Sequence, residues 1–585
     1  MKRVLAAAIT ILFALQTVVV PGAWAGQKVW EGELADKVSW SDVTLFGTLL
    51  VGSKTSLSSY NPETGELLWI REDLKKIAPF DVREATGFPI LIIGKDEGFG
   101  GAKAQVEAIS MADGKTIWAT DKVKGFPLGV YMASDRPLVI LLVNDIYDQN
   151  QTGIYASAYD VQTGESKWRT LFTDKPNKIP TYPADNMSAF YARADFSGYH
   201  DPVFEGDKMY TSFDGLRCFD LNTGEQKWHA PFKTAHKTYK KAYAAPVIEG
   251  DMIYASGESI IYAINKQTGE IKWQTEKVRS GLVGQVVVAE DMVMARIGGN
   301  FYNPGAKQYT PDKPFGVYAF NKETGVELWE FKGAKNGITN MVYLPEINAV
   351  FLADAKSLIG IDTKSSGKVK EAFRLKLEFK RAIGTTDVAS AGVKALTGGI
   401  GGLLNAGAKM AIGKDREDPP VSVQKLHNGM VIVRGQQHIL SFDPKKQEIN
   451  WSLAYSAPGA SGLGIAMVAA VSAFSVIGYQ GFYASGNMSA SRASENVKGQ
   501  FARMDKYLDK RFSKTQSDEK QTYILTTVDT EGESGVGVMA INLETGEEAG
   551  QFLFDEKEPE YAIDSLGGRL YFFPKKKGIV AYDLN

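Results

Sequence analysis

The sequence predicts an all-β protein, a β-propeller of four-stranded blades, and three observations carry that expectation. Ten copies of one short pattern run through the 585 residues: a small residue, an apolar residue, Asp or Asn, then usually Thr-Gly and finally Trp. Successive Asp/Asn positions, with Ser110 standing in once, lie 49, 50, 60, 45, 56, 41, 81, 99 and 41 residues apart. Most of these intervals match the roughly 40 to 50 residues of a blade. The last copy is truncated at AYDLN, while Lys28-Val29-Trp30-Glu31-Gly32 near the other terminus reads as a Trp-bearing strand without its own hairpin, so the two ends are expected to complete one blade.

The clearest copies are NPETGELLW ending at Trp69, DVQTGESKW at Trp168, DLNTGEQKW at Trp228, NKQTGEIKW at Trp273 and NKETGVELW at Trp329. SMADGKTIW, ending at Trp118, and DPKKQEINW, ending at Trp451, keep the spacing with a degraded turn. The copies at Asp362 and Asn542 lose the Trp. Apolar alternation runs up to each Asp/Asn and resumes after the Gly, which reads as strand, tight turn, strand. Asp and Asn bond their own backbone two residues on, and Gly65, Gly164, Gly224, Gly269 and Gly325 supply the positive φ that such a hairpin needs. Seven of the ten Trp fall at this one position. That clustering predicts an indole packed between each repeat and its neighbour, where a large buried ring contributes about 3 to 5 kcal/mol.

The A-x-D/N-x-x-T-G-x-x-x-W repeat resembles the tryptophan-docking repeat of the pyrroloquinoline quinone (PQQ) propeller superfamily. The resemblance covers nearly the whole chain after residue 25 except two inserts. It implies a single propeller domain over 26–585, commonly of eight blades in this superfamily, against the ten copies counted here. The superfamily includes quinoprotein dehydrogenases and also non-catalytic members such as the outer-membrane assembly lipoprotein BamB. The dehydrogenases imply a vicinal Cys pair, a Ca²⁺ held by carboxylate and amide oxygens, an Asp base and an Arg near the quinone.

Residues 1–25 have the parts of a cleavable secretory signal: Lys2-Arg3, an apolar run from Val4 to Val20, and Ala23-Trp24-Ala25 before Gly26. The expected location is therefore exported, periplasmic or outer-membrane-associated. No Cys lies near the cleavage site to carry a lipid. Removing Lys2 and Arg3 from the 66 basic side chains leaves 64 against 68 acidic, which gives no electrostatic reason for a nucleic-acid partner. Cys218 is the one cysteine, so no intramolecular disulfide forms. It occupies the small-residue position of its copy, aligned with Ala158, Ala263, Ala319, Ala540 and Ala581, where a buried strand thiol is the expectation.

The two long intervals hold compositionally odd inserts. The first, 385–420, includes the Gly/Ala-rich Ala389 to Ile412; the second, 456–516, includes Leu463 to Tyr483, a run free of charge and long enough to cross a bilayer as a helix. Small residues recur four apart in both, at Gly398 and Gly402 and at Gly462, Ala466 and Ala470, a spacing that lets helices approach closely. Ser494 to Gln516 then places Val497, Phe501, Met504, Leu508 and Phe512 on one helical stripe with a mostly basic opposite face. These apolar inserts are expected to be helical. They either touch a membrane or partner, span the membrane, or pack on the propeller.

Candidate chemistry is sparse. Arg136, Arg296 and Arg434 lie in or near strands that could face a central channel. The five histidines, His200, His229, His236, His427 and His438, have no paired spacing for a metal. Asn144, Asp145, Asp148 and Asn150 form a polar stretch expected to be a solvated hairpin. Neither a G-x-S-x-G elbow nor a vicinal Cys pair is present. The preferred expectation is a non-catalytic scaffold for envelope proteins, with no cofactor and with membrane contact through the inserts. PQQ with calcium in a dehydrogenase, or a small ligand in a sensor propeller, stand as alternatives.

Overall fold

The computed structural model describes residues 26–584 apart from 97–102, 146–152, 174–201, 235–243, 304–307, 380–417, 456–520 and scattered gaps of one or two residues. The described strands form ten separate sheets, each one blade; blade 6 gains the short parallel strand Gly367–Lys368, and in blade 2 both Thr116–Ala119 and Val123–Lys124 pair with Lys103–Ser110. In chain order these are blades 1 (38–71), 2 (82–124), 3 (126–173), 4 (203–230), 5 (247–274), 6 (283–331), 7 (342–376), 8 (422–454), 9 (521–553) and 10 (561–583 with 28–33). Ten copies in sequence therefore correspond to ten blades, not the eight common in the superfamily. Blade 9 departs from the four-stranded expectation, with three described strands, Gln521–Thr530, Glu533–Asn542 and Glu548–Leu553.

The expected closure is present. Lys28–Glu33 pairs antiparallel with Gly578–Asp583, bringing Trp30 opposite Ala581. Ten clusters of buried apolar side chains follow, one for each pair of neighbouring blades from 1 with 2 round to 10 with 1. An apolar face on both sides of every blade is what a stacked ring requires, because a single four-stranded sheet cannot bury its own faces.

The repeat residues hold these interfaces together. Asn61, Asp160, Asn265, Asn321, Asp443 and Asn542 accept through Oδ1 from backbone N–H groups two and three residues on, closing the turn. The turn Gly takes positive φ, as at Gly164 (+71°) and Gly224 (+73°). Each indole lies across the turn of the next blade and donates to a carbonyl there: Trp118 Nε1 to Val161 O at 2.7 Å, Trp168 to Leu221 O at 2.8 Å, Trp329 to Thr363 O at 3.1 Å. Trp30 does the same across the closure, to Pro62 O at 2.9 Å. The Gly is needed twice over, since a Cβ on Gly224 would stand 2.4 Å from the ring of Trp168. The outgoing strand begins two residues before the Trp rather than at it, as in Leu67–Arg71 and Ser166–Thr173.

Cys218 is fully buried opposite Trp228, and burial pushes its thiol up to about 12, so it is an inert packing residue. Among the described residues the regular helices are single 3₁₀ turns such as Pro79–Asp81, Pro345–Ile347 and Pro574–Lys576, and none is long and apolar enough to cross a membrane. The helices expected in the inserts fall outside the described residues, as does the stripe from Val497 to Phe512. One boundary is corrected: Asp418 is buried and its Oδ2 accepts from the Gln437 and His438 N–H groups, both at 2.7 Å, so 418–420 belongs to blade 8.

Gly224→Ala is expected to cost about 2 to 4 kcal/mol, combining the strained φ with a clash against Trp168. Gly206→Ala shares a positive φ of +58° but meets nothing within 4 Å, and should cost roughly 1 kcal/mol. Urea unfolding of the two variants beside the unaltered protein separates the docking contribution from the backbone one.

Candidate functional site

The meander order sorts the connections onto two faces of the disk. Turns between the first and second strands, and between the third and fourth, share one face, which the repeat turns tile, six of them of the form Asp/Asn-x-x-x-Gly. Hairpins between the second and third strands, and the links from one blade to the next, share the other. The strand ends from which the long connections leave, Thr173, Lys376 and Ala454, all lie on this second face. The longest hairpin, Met292–Asn303 with Gln308–Asn321, projects from it as well, its ladder continuing past Ile297 to the Asn303–Gln308 pair. The first and second inserts of the sequence both fall in these connections. One face is compact and repetitive, the other carries what is individual to this chain.

Toward the axis, the innermost strands expose backbone edges that polar side chains of the preceding blade satisfy. Gln285 donates through Nε2 to Met341 O (3.0 Å) and accepts through Oε1 from Met341 N–H (2.8 Å). Asn340 treats Val423 in the same way, at 2.7 and 2.9 Å. A side-chain amide has one donor and one acceptor side, so it pairs with a peptide group as a strand would. Arg83 Nε to Val130 O and Gln437 Nε2 to Leu525 O are one-sided versions. These bridges leave no signal in the sequence, because an amide in a strand is ordinary until the neighbouring blade is known.

The site residues expected from sequence separate. Trp69, Trp118, Trp168, Trp228, Trp273, Trp329 and Trp451 are docking residues of successive blades. Arg136 lies in a turn, not at a channel, and donates to Asn222 Oδ1 of blade 4 at 3.1 Å. Arg434 is half-buried, with Nη1 on Thr522 Oγ1 and Nη2 on Tyr523 O, both at 2.8 Å, joining blade 8 to blade 9. Arg296 is buried in the second strand of blade 6. His229 Nε2 meets Asp214 O at 2.6 Å and burial holds its pKa below the usual value; His438 stacks on Phe379; His427 pairs with Glu544. His200 and His236 fall outside the described residues, as do Asp148 and Asn150. Asp145 is not solvated as expected: it is buried and paired with Arg169, which also stacks on Tyr155.

A quinone site of the dehydrogenase kind needs clustered oxygen donors for Ca²⁺. Among the described residues, no three His, Cys, Asp or Glu side chains gather where they could hold a metal ion. The single cysteine leaves no vicinal pair.

Comparison with known proteins agrees with the repeat. A family profile described as outer membrane protein assembly factor BamB matches residues 152–353, which span blades 3 to 7. The tetrathionate hydrolase of Acidithiobacillus ferrooxidans is 29% identical over 233 residues, covering 36% of this chain and 43% of that protein. BamB of Legionella pneumophila is 37% identical over 65 residues, 11% of this chain and 17% of that one. The chain thus spans less than half the length of both curated relatives. The solved BamB of Moraxella catarrhalis is 12% identical, with a TM-score of 0.33, over 72% of this chain and 97% of that one. The chain is a ten-bladed β-propeller that over residues 152–353 is similar to the BamB family.

Asp42, on the innermost strand Val38–Val43 of blade 1, is the carboxylate whose environment most favours its neutral form. Burial pushes its pKa from 3.8 up to about 6, partly offset by the Val43 N–H on Oδ1. The folded value is raised, so the stabilisation is complete below pH 3.8 and is lost as pH rises through 6. Asp42→Asn is therefore expected to raise the thermal midpoint relative to the parent protein at pH 7.5 and to lose that advantage at pH 4. Equal destabilisation at both pH values would contradict the assignment.

Proposed function

We propose that this chain is a non-catalytic, exported propeller that binds envelope proteins at a membrane face. The observation that carries the proposal is the asymmetry of the disk. The turn face is tiled by near-identical hairpins, whereas the opposite face receives the long hairpin and the strand ends that lead into both apolar inserts. Binding residues concentrate on loops held by a rigid scaffold, and a ring closed by ten docked interfaces is such a scaffold. The signal-like residues 1–25 support export, and the resemblance to BamB, an outer membrane protein assembly factor, supports an assembly role. The charge-free run from Leu463 to Tyr483 and the basic stripe after it support attachment to an anionic membrane or to an apolar surface of a partner.

A second reading is favoured by one observation, the 29% identity to tetrathionate hydrolase over 233 residues. In that reading the propeller handles a small sulfur oxyanion. Incubation of the mature protein with tetrathionate, followed by assay for thiosulfate, distinguishes it from the scaffold reading.

Deletion of 385–417 and 456–516 together is expected to leave a cooperatively unfolding propeller that no longer co-sediments with envelope membranes. Retained co-sedimentation by the folded deletion variant would overturn the scaffold reading.

A further inference from the structure

Arg296 and Arg434 occupy the same place in two blades. Each is the last in a four-residue run of the second strand, Val293 to Arg296 and Val431 to Arg434, whose side chains alternate between the preceding and following blade interfaces. Both point toward the following blade. Arg434 finds acceptors there, the Thr522 hydroxyl and the Tyr523 carbonyl. Arg296 does not. The edge of the first strand of blade 7, at Met341, is taken in both directions by Gln285, the cross-strand neighbour of Arg296.

Arg296 is 9% exposed, and its guanidinium holds one hydrogen bond, from Nη1 to the Gly298 carbonyl of its own strand. Its Nε is buried without a partner. Nη2 lies against Gly284 of the innermost strand, where a Cβ would come within 2.3 Å. The glycine thus opens the space that the guanidinium fills. The Nε–Nη2 edge is the one that grips two oxygens at once, and it is the unpaired edge. Other arginines of the ring do meet carboxylates, Arg71 with Asp73 and Glu107, Arg374 with Asp354 and Glu371, Arg569 with Glu63 and Asp583, while Arg434 meets neutral acceptors. At Arg296 burial alone acts on the charge, lowering its pKa to about 10, and the group stays cationic at neutral pH.

An unpaired buried cation is strongly unfavourable, and removing the charge from such a place ordinarily stabilises a protein. A planar fork held open at a glycine, with one nitrogen fixed by a carbonyl, is the arrangement that binds an anion. We propose that Arg296 binds a small oxyanion, a carboxylate or a sulfate-like group, at the inner edge of the interface between blades 6 and 7. This goes beyond the scaffold reading and does not depend on it. The site lies at the base of the long hairpin Met292–Asn303 and Gln308–Asn321, on the side of the face from which the long connections leave.

Isothermal titration of the full mature chain with potassium sulfate and with potassium acetate, in a chloride background of constant ionic strength, tests the proposal. One-site saturable binding is expected for at least one of the two. Arg296→Met should weaken it at least tenfold, while Arg434→Met should leave it unchanged. Arg296→Met should also unfold at a higher temperature than the parent protein in chloride, with the difference shrinking in the bound anion. Absence of saturable binding in the parent protein, or equal binding in Arg296→Met, would overturn the assignment. Should that variant fail to fold, crystals of the parent protein soaked in selenate decide the matter: an anomalous peak at the Arg296 Nε–Nη2 edge supports the proposal, and peaks elsewhere alone refute it.

Discussion

The indole laid across the glycine turn of the next blade is the contact on which the ring depends. It combines three things that a sheet-to-sheet interface otherwise lacks. The ring buries a large apolar area, its N–H donates to a backbone carbonyl of the neighbour, and the glycine beneath it admits no other residue. The docking indoles Trp30, Trp69, Trp118, Trp168, Trp228 and Trp273 repeat this geometry with one hydrogen bond apiece, including the step across the chain termini, and Trp329 keeps the hydrogen bond without a glycine beneath its ring. Eight of the ten blades carry a donor indole aimed at the turn of the next blade, which orients the blades head to tail. A ring whose two ends share one sheet then has no free sheet face.

Where the indole is missing, other groups occupy its register. In blade 7, Phe373 pairs with Gly360 as Trp168 pairs with Ala158, and its ring packs 4.8 Å from Phe442 of blade 8. The intervening Gly367–Lys368 is diverted to pair in parallel with Trp329 and Glu330 of blade 6. In blade 9 the slot falls to Gly550, opposite Ala540, and Phe552 of the same strand enters the cluster shared with blade 10. The ring tolerates both because large aromatic area reaches each interface by another route.

The fold was largely legible because its determinants are local. The turn, the glycine and the Trp stand within nine residues, so blade count, closure and the burial of Cys218 follow from spacing. Phe373 was not legible, since a longer turn moves it out of phase with Trp329. Gln285 and Asn340 were not, since their partners lie 56 and 83 residues away in the next blade. Arg296 and Arg434 could be picked out as strand arginines, but their opposite fates depend on whether the adjacent blade leaves an acceptor free.

Site-specific photo-cross-linking in the native envelope tests the two-faced account most directly. A photoreactive residue at Lys54 or Lys356, exposed in hairpins of the individual face, is compared with one at Gln267 or Glu323, exposed in the tiled turns. The account predicts protein adducts from the hairpin positions and few from the turn positions. Adducts of equal yield from both faces, or from the turns alone, would contradict it.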